Sequence, residues 1–263
     1  MYRFMLTRQW VLLTLACLAL VPAMVRLGLW QYHRYEQRVA QNELIGANLA
    51  APATPVQRLS RPGTPRPVSD THRHATAIGR YDSAHQSLVR RRTAADGETI
   101  GFHVLTPLIL GNGDRVLVNR GWIPGGGGLT AAPKVPAAPA GEVTVTGRLR
   151  PDETTASSGI KDIKGLPKDQ VLLINSDMQS RVLRAPVLSG YLELTRTSPE
   201  PAADQPELIP EPDHGSIGPH VGYAYNWWFF AAMVPVGWGI LVRRERRDRS
   251  NPRPAPNPPA SPT

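Results

Sequence analysis

Cysteine is nearly missing from this sequence. Its 263 residues contain one, Cys17, and it lies inside an apolar run near the start. A lone thiol excludes a disulfide framework and a thiolate metal site, and the polar body of the chain has no cysteine nucleophile. Sortase-like transpeptidases and thiol oxidoreductases are thereby removed, and Cys17 reads as a small hydrophobe. Other catalytic signatures are missing too: there is no Gly-x-Ser-x-Gly elbow and no His-Glu-x-x-His pair. The "GGGG" of Gly125–Gly128 lacks the Lys-Ser/Thr that completes a phosphate loop and precedes no helix, so it reads as a flexible loop. Ser, His and Asp occur without triad spacing. The expectation is a protein that is not an enzyme.

Long apolar runs are present, and there are two. "WVLLTLACLALVPAMVRLGLW" (Trp10–Trp30) and "VGYAYNWWFFAAMVPVGWGILV" (Val221–Val242) each match the ~20 residues that cross a bilayer. The first follows a basic "MYRFMLTR", as a signal peptide would, but exceeds the roughly 7–15 apolar residues usual there. Trp10 and Trp30 bracket it at about 30 Å of helix, as interfacial tryptophans do, which favours a retained anchor. Arg3 and Arg8 precede the first run, and "RRERRDR" (Arg243–Arg249) follows the second. By the positive-inside rule both termini are cytoplasmic and the region between the runs faces outward. Much of the formal charge of +9 sits in that tail, where it orients a helix and meets anionic membrane lipid; no nucleic-acid partner is implied.

The expected organisation is a cytoplasmic segment (1–9), a first transmembrane helix (10–30), an outward domain (31–219), a second transmembrane helix (220–242) and a basic, disordered cytoplasmic tail (243–263). The protein is expected in the cell membrane. "QYHRYEQRVAQNELIGANL" (Gln31–Leu49) continues the first helix, and a Pro-rich linker follows. Strand-like segments then dominate. His72–Asp82 and Gln86–Thr93 look like a first pair, and "GNG" joins Gly101–Leu110 to Asp114–Pro124 as a hairpin. Gly141–Arg150 alternates apolar and polar residues. Gln170–Pro186 reads as a strand running into a short helix, and Val187–Arg196 as a final strand. The fold class is therefore two transmembrane helices flanking an outward, mainly antiparallel β (α+β) domain, a sheet or small barrel.

Histidines are the candidate ligands. His72 and His74 are two apart, so on one strand they share a face; with His85 and His103 they offer a zinc or copper site, against the plainer reading of solvated histidines at a strand start. "NRGW" (Asn119–Trp122) reads as a strand end where Gly121 takes a positive φ and Trp122 caps the core, or as a rim facing a partner or ligand. At the second span, "GP" marks a helix start, and His220, Tyr223, Trp227, Ala231 and Trp238 follow helical spacing as one stripe. Neutral imidazole is a good axial ligand to haem iron, and flanking aromatics suit a porphyrin. An aromatic belt with an interfacial histidine is the competing reading. On the residues alone both stand.

"LGLWQYHRY" (Leu27–Tyr35), "GRYD" (Gly79–Asp82), "VLVNRGWIP" (Val116–Pro124), "VTVTGRLR" (Val143–Arg150) and "GPHVGYAYNWWFF" (Gly218–Phe230) occur in one order. In that order they resemble the surfeit-locus cytochrome c oxidase assembly family. The resemblance spans nearly the whole chain except the linker and the tail. Asn226 stands where a glutamine is usual, and the chain has 26 arginines to 4 lysines, a compositional departure. The resemblance implies a two-span assembly factor for haem-copper (aa3-type) cytochrome c oxidase that binds haem a transiently. Its implied partners are oxidase subunit I, haem A synthase and membrane lipid. His220 matches the family's haem ligand; Tyr223 and Trp227 are the expected cofactor-packing residues, and His33 is a conceivable second ligand. The alternatives are a copper-site assembly factor using His72, His74 and His85, or a cell-envelope protein with no cofactor.

Overall fold

The computed structural model describes residues 3–65, 67–125, 133–163, 165–201 and 204–250. Most of the glycine run and the end of the basic tail, from residue 251, lie outside the described residues. In chain order the elements are α1 (Arg8–Ala50), β1 (Thr54–Pro55), α2 (Val56–Leu59), β2 (His74–Tyr81), β3 (Ser87–Thr93), β4 (Ile100–Leu110), β5 (Arg115–Pro124), β6 (Glu142–Arg150), α3 (Thr155–Ser158), β7 (Gln170–Val171), α4 (Ser176–Leu183), β8 (Val187–Ser198) and α5 (His220–Ser250). They divide between two compact units, Met1–Asn42 with Gly215–Thr263, and Glu43–His214.

The first unit holds two helices long and apolar enough to cross a membrane. Leu12, Leu15 and Leu18 on α1, and Phe229, Phe230 and Ile240 on α5, are exposed. Apolar side chains displayed on several sides of a helix are the pattern of a segment that meets an apolar surrounding. Within the apolar runs the buried positions are small, Gly28 on α1 and Ala224 and Ala231 on α5, and Asn42 is buried further along α1. Small residues let helix backbones approach closely. A Cβ at Gly28 would collide with the Trp228 indole. Further along, Trp238 Nε1–H donates to Thr14 Oγ1 at 3.1 Å.

The basic run departs from the expected disordered tail beginning at 243, because α5 continues to Ser250. Arginine is a good helix former, and two i, i+4 ion pairs support this stretch, Arg249–Glu245 at 2.7 Å and Arg244–Asp248 at 3.9 Å.

The second unit is a mixed sheet closed on itself. The pairings run β2–β6–β8–β5–β4 and return to β2, a ring of five strands, with β3 and β7 added beside β4 and β1 beside β2. Directions cannot alternate all the way around an odd ring, so one neighbouring pair must be parallel, and that pair is β5–β8. The expected antiparallel character holds for the other four contacts of the ring. The expected pairing of the first two strands does not occur. A 3-10 turn at Ser83–His85 diverts the chain between them, so β2 pairs with β6 and β4 while β3 pairs with β4 and β7. The β4–β5 hairpin turns through Gly113 at φ 87°, a conformation that favours glycine.

Alternation along β5 shows how the sheet buries both faces. Val116 and Val118 join Ala77, Tyr81, Leu108, Val145 and Leu192 in one apolar core. Leu117, on the other face, joins Leu105, Ile174, Leu183 and Tyr191, the cluster to which α4 contributes. Helix α4 starts cleanly because the Asn175 side chain accepts from Met178 N–H at its N-cap.

Candidate functional site

Helix α5 opens at a Gly-Pro pair, as the sequence implies. The Pro219 carbonyl accepts from Tyr223 N–H at 3.1 Å, and Gly218 takes φ +66°. This start places His220 in the first turn, half-buried, with Nδ1 3.0 Å from Gln31 Oε1 of α1. An amide oxygen only accepts, so Nδ1 carries the proton and donates. Nε2, the other ring nitrogen, is engaged by no hydrogen bond among the described residues. A Cβ at Gly218 would come within 3.5 Å of Nε2; glycine leaves that approach clear.

The other candidates are spread around the same unit. Trp227 is half-buried, whereas Tyr223 is 50% exposed and points away from the buried stripe of Ala224 and Ala231. In a 3.6-residue helix, position i+3 falls to one side of the line through i, i+4, i+7 and i+11, so Tyr223 sits at its edge. His33 is exposed on α1. It lies two residues past Gln31, about 200° around the helix, so Gln31 and not His33 meets His220. Gln31 was legible only as part of a motif. Its signal was positional: each of the two residues is the polar group that borders its apolar run on the same expected side of the membrane.

The first unit also carries aromatic order near this pair. The Tyr32 and Trp228 rings lie 6.0 Å apart, Tyr225 meets Trp228 edge-on at 5.7 Å, and the Arg34 guanidinium lies over Trp30.

The histidines of the second unit are not brought together. His72 lies before β2 at φ 69° and is buried, with Arg150 Nη1 donating to its Nε2 at 3.4 Å. Burial, then Arg150 and Arg148, depress its pKa to about 4. His103 accepts from Asn119 Nδ2 at 3.1 Å, and burial with nearby Arg92 lowers it to about 3. His85 is exposed and bonds Asp82 at 2.9 Å. Among the described residues no group of three His, Cys, Asp or Glu side chains is placed to hold a metal ion.

The NRGW segment has a structural task that the sequence left open. Trp122 N–H donates to Glu207 O at 2.7 Å, and Glu207 N–H returns to Trp122 O at 2.9 Å. Gly121 sits at φ 130°, and a Cβ there would strike the Glu207 carbonyl. Arg120 Nη2 reaches Gln205 Oε1 at 2.6 Å, and Arg148 Nη2 reaches Ile209 O at 2.7 Å. Together these residues lash the stretch 205–210 onto the sheet. Trp122 also bonds Arg92 O through Nε1 at 2.9 Å.

Comparison with known proteins bears on both units. The model of the SURF1 family matches residues 18–232. Uncharacterized SURF1-like proteins of Mycobacterium bovis and Mycobacterium tuberculosis are each 27% identical to the chain over 262 residues, which cover 98% of it and 93% of theirs.

Proposed function

The chain belongs to the SURF1 family, and on that premise we propose that it is a non-enzymatic assembly factor for haem-copper cytochrome c oxidase. In this reading it holds haem a transiently and aids its insertion into subunit I. The observation that carries the reading is the His220–Gln31 hydrogen bond. A metal-bound histidine characteristically donates its other ring N–H to an acceptor that fixes tautomer and orientation. Gln31 supplies that acceptor, and Nε2, left without a hydrogen bond, is the atom through which His220 would hold haem iron.

The residues present fit the group. His220 would be the ligand, Gln31 would orient it, Gly218 would keep the approach open, and Trp227 and the exposed Tyr223 would offer aromatic faces. Haem supplies an iron that accepts the imidazole lone pair and a broad apolar surface. Ligation through one histidine would suit transfer, because a carrier must release what it binds. The two spans, with basic flanks at Arg3, Arg8 and Arg243–Arg249, favour a cell-membrane protein with both termini cytoplasmic and Glu43–His214 outward. Oxidase subunit I, and haem A synthase as donor, are the partners this reading requires.

The test is the pigment of the purified protein. The full chain, co-produced with a haem A synthase and solubilised in detergent, is expected to carry a Soret band. Extraction should return haem a. A colourless protein from cells that make haem a would refute the reading.

A further inference from the structure

Contacts along their length fix how α1 and α5 face each other. Thr14 meets Trp238, Gly28 meets Trp228 and Gln31 meets His220, while Asn42 Nδ2 donates to Ser216 O at 3.0 Å. Residue numbers rise on α1 as they fall toward and along α5, so the helices run antiparallel. When two right-handed helices oppose their faces with reversed axes, equal rotations from the facing residues lead to the same side of the pair. Tyr32 lies about 100° on from Gln31, and Trp228 about 80° on from His220. They share one side, where their rings lie 6.0 Å apart and Tyr225 meets Trp228 edge-on at 5.7 Å. That side is taken up by aromatic packing.

Arg34 and Tyr223, three residues on from Gln31 and His220, fall about 60° the other way and share the opposite side. Residues three apart on a helix are neighbours, about 5–6 Å between Cβ atoms, so Arg34 stands beside Gln31 and Tyr223 beside His220. Trp30 belongs to this side too, with the Arg34 guanidinium carbon over its ring at 6.0 Å. Tyr223 is 50% and Trp30 54% exposed. Arg34 is exposed and forms no ion pair among the described residues. The open side of the His220–Gln31 pair is therefore aromatic and basic. Its two characters are also layered: Trp30 ends the apolar run, and Arg34 stands about 6 Å further along α1, beyond that run.

We propose, on the haem-binding reading of His220 above, that Arg34 and Trp30 form a carboxylate subsite that takes the propionate edge of the haem. Haem carries its propionates on one edge of an otherwise apolar macrocycle. A guanidinium offers a carboxylate paired N–H donors in a matching fork. The Trp30 indole beneath steadies that fork and adds an apolar face. The subsite selects the Trp30–Arg34–Tyr223 side of the helix pair for the cofactor, with the carboxylates beyond the apolar run and the ring body toward it. Glu36, about 140° on from Gln31, belongs to the other side and would repel the same carboxylates.

The experiment titrates the full chain, purified free of pigment in detergent, with iron protoporphyrin IX and with its dimethyl ester. Binding is read at the Soret band, and the quantity compared is each variant's acid-to-ester affinity ratio. Detergent partitioning and folded fraction affect wild type and variant alike in that comparison. Arg34→Gln should lower the ratio about tenfold by weakening the acid alone, the scale of a hydrogen bond to a charged group. Arg34→Lys should restore part of it, because the charge returns without the fork. Glu36→Gln should not lower it. No Soret band with either form in the wild type would sink the haem reading itself. A normal band with a ratio that Arg34→Gln leaves unchanged, as an arginine serving lipid headgroups would give, overturns the subsite alone.

Discussion

Gly28 and Trp228 are in contact where α1 meets α5, and there is no room for a methyl group between them. Gly28 lies three residues before Gln31 and Trp228 eight after His220, so both pairs fall on the facing stripes of the same two helices. Gln31 and His220 meet at 3.0 Å about one turn along α1 from Gly28 and about two turns along α5 from Trp228.

Enlarging residue 28 should therefore separate the pair without removing either member. With Cys17 replaced by Ser, cysteines at 31 and 220 should cross-link readily when residue 28 is glycine. In a Gly28→Leu background the yield should fall several-fold. Unchanged cross-linking would mean that the contact does not set the spacing.

The buried histidines make acid stability predictable. His103 is held neutral in the fold, with a pKa near 3 against 6.5 when unfolded, and His72 follows in the same direction. A depressed folded-state pKa means the unfolded chain binds the proton more readily. The stability is intact above pH 6.5 and is lost as pH falls toward the folded value. Between pH 7 and pH 4 the loss through His103 should be on the order of 3 kcal/mol. Denaturant midpoints of the full chain in detergent should show it, and His103→Gln should flatten the profile.

Arg120 should not tolerate lysine. A single ammonium, with three donors, cannot serve four acceptors around a planar fork, so at least one oxygen loses its donor. Arg120→Lys should cost about 2–4 kcal/mol and raise hydrogen exchange at Glu207, whose amide is tied to Trp122. Gly121→Ala should do the same through a different route, since φ 130° and the Glu207 carbonyl both oppose a side chain.

Much of this fold was legible because its strands are short, alternating and bounded by turn residues. The hairpin through Gly113 and the strand-to-helix passage into α4 follow from local chemistry alone. What local chemistry does not carry is closure. That β2 turns away from β3 to meet β6 depends on residues some seventy positions later, and the parallel β5–β8 pair follows from the odd strand count of the ring. Arg120 and Gly121 look like an ordinary strand end until the 205–210 stretch returns to them. At the first unit, periodicity placed His220 on a helical stripe, yet its partner lies 189 residues away and is invisible to any local pattern. Helix phase also assigned Tyr223 to that stripe, and its 50% exposure puts it at the edge.

Orientation across the membrane has its own check. Lys161 is exposed in the loop after α3, so Lys161→Cys in a Cys17→Ser background gives a single accessible thiol. An impermeant maleimide added outside intact cells should label it. Labelling only after lysis would place Glu43–His214 in the cytoplasm.

The central claim is that His220 Nε2 ligates haem iron while Gln31 holds Nδ1. The most direct measurement is the Soret absorbance per protein of His220→Ala, beside Gln31→Leu and His72→Ala, each purified as the full chain from cells making haem a. His220→Ala should lose the band while still fractionating with membranes, because the helix is no less apolar. Gln31→Leu should weaken haem binding by roughly 10–100-fold, the usual effect of removing a ligand's hydrogen-bond partner. His72→Ala should leave the band intact. A His220→Ala protein with a full Soret band would contradict the account.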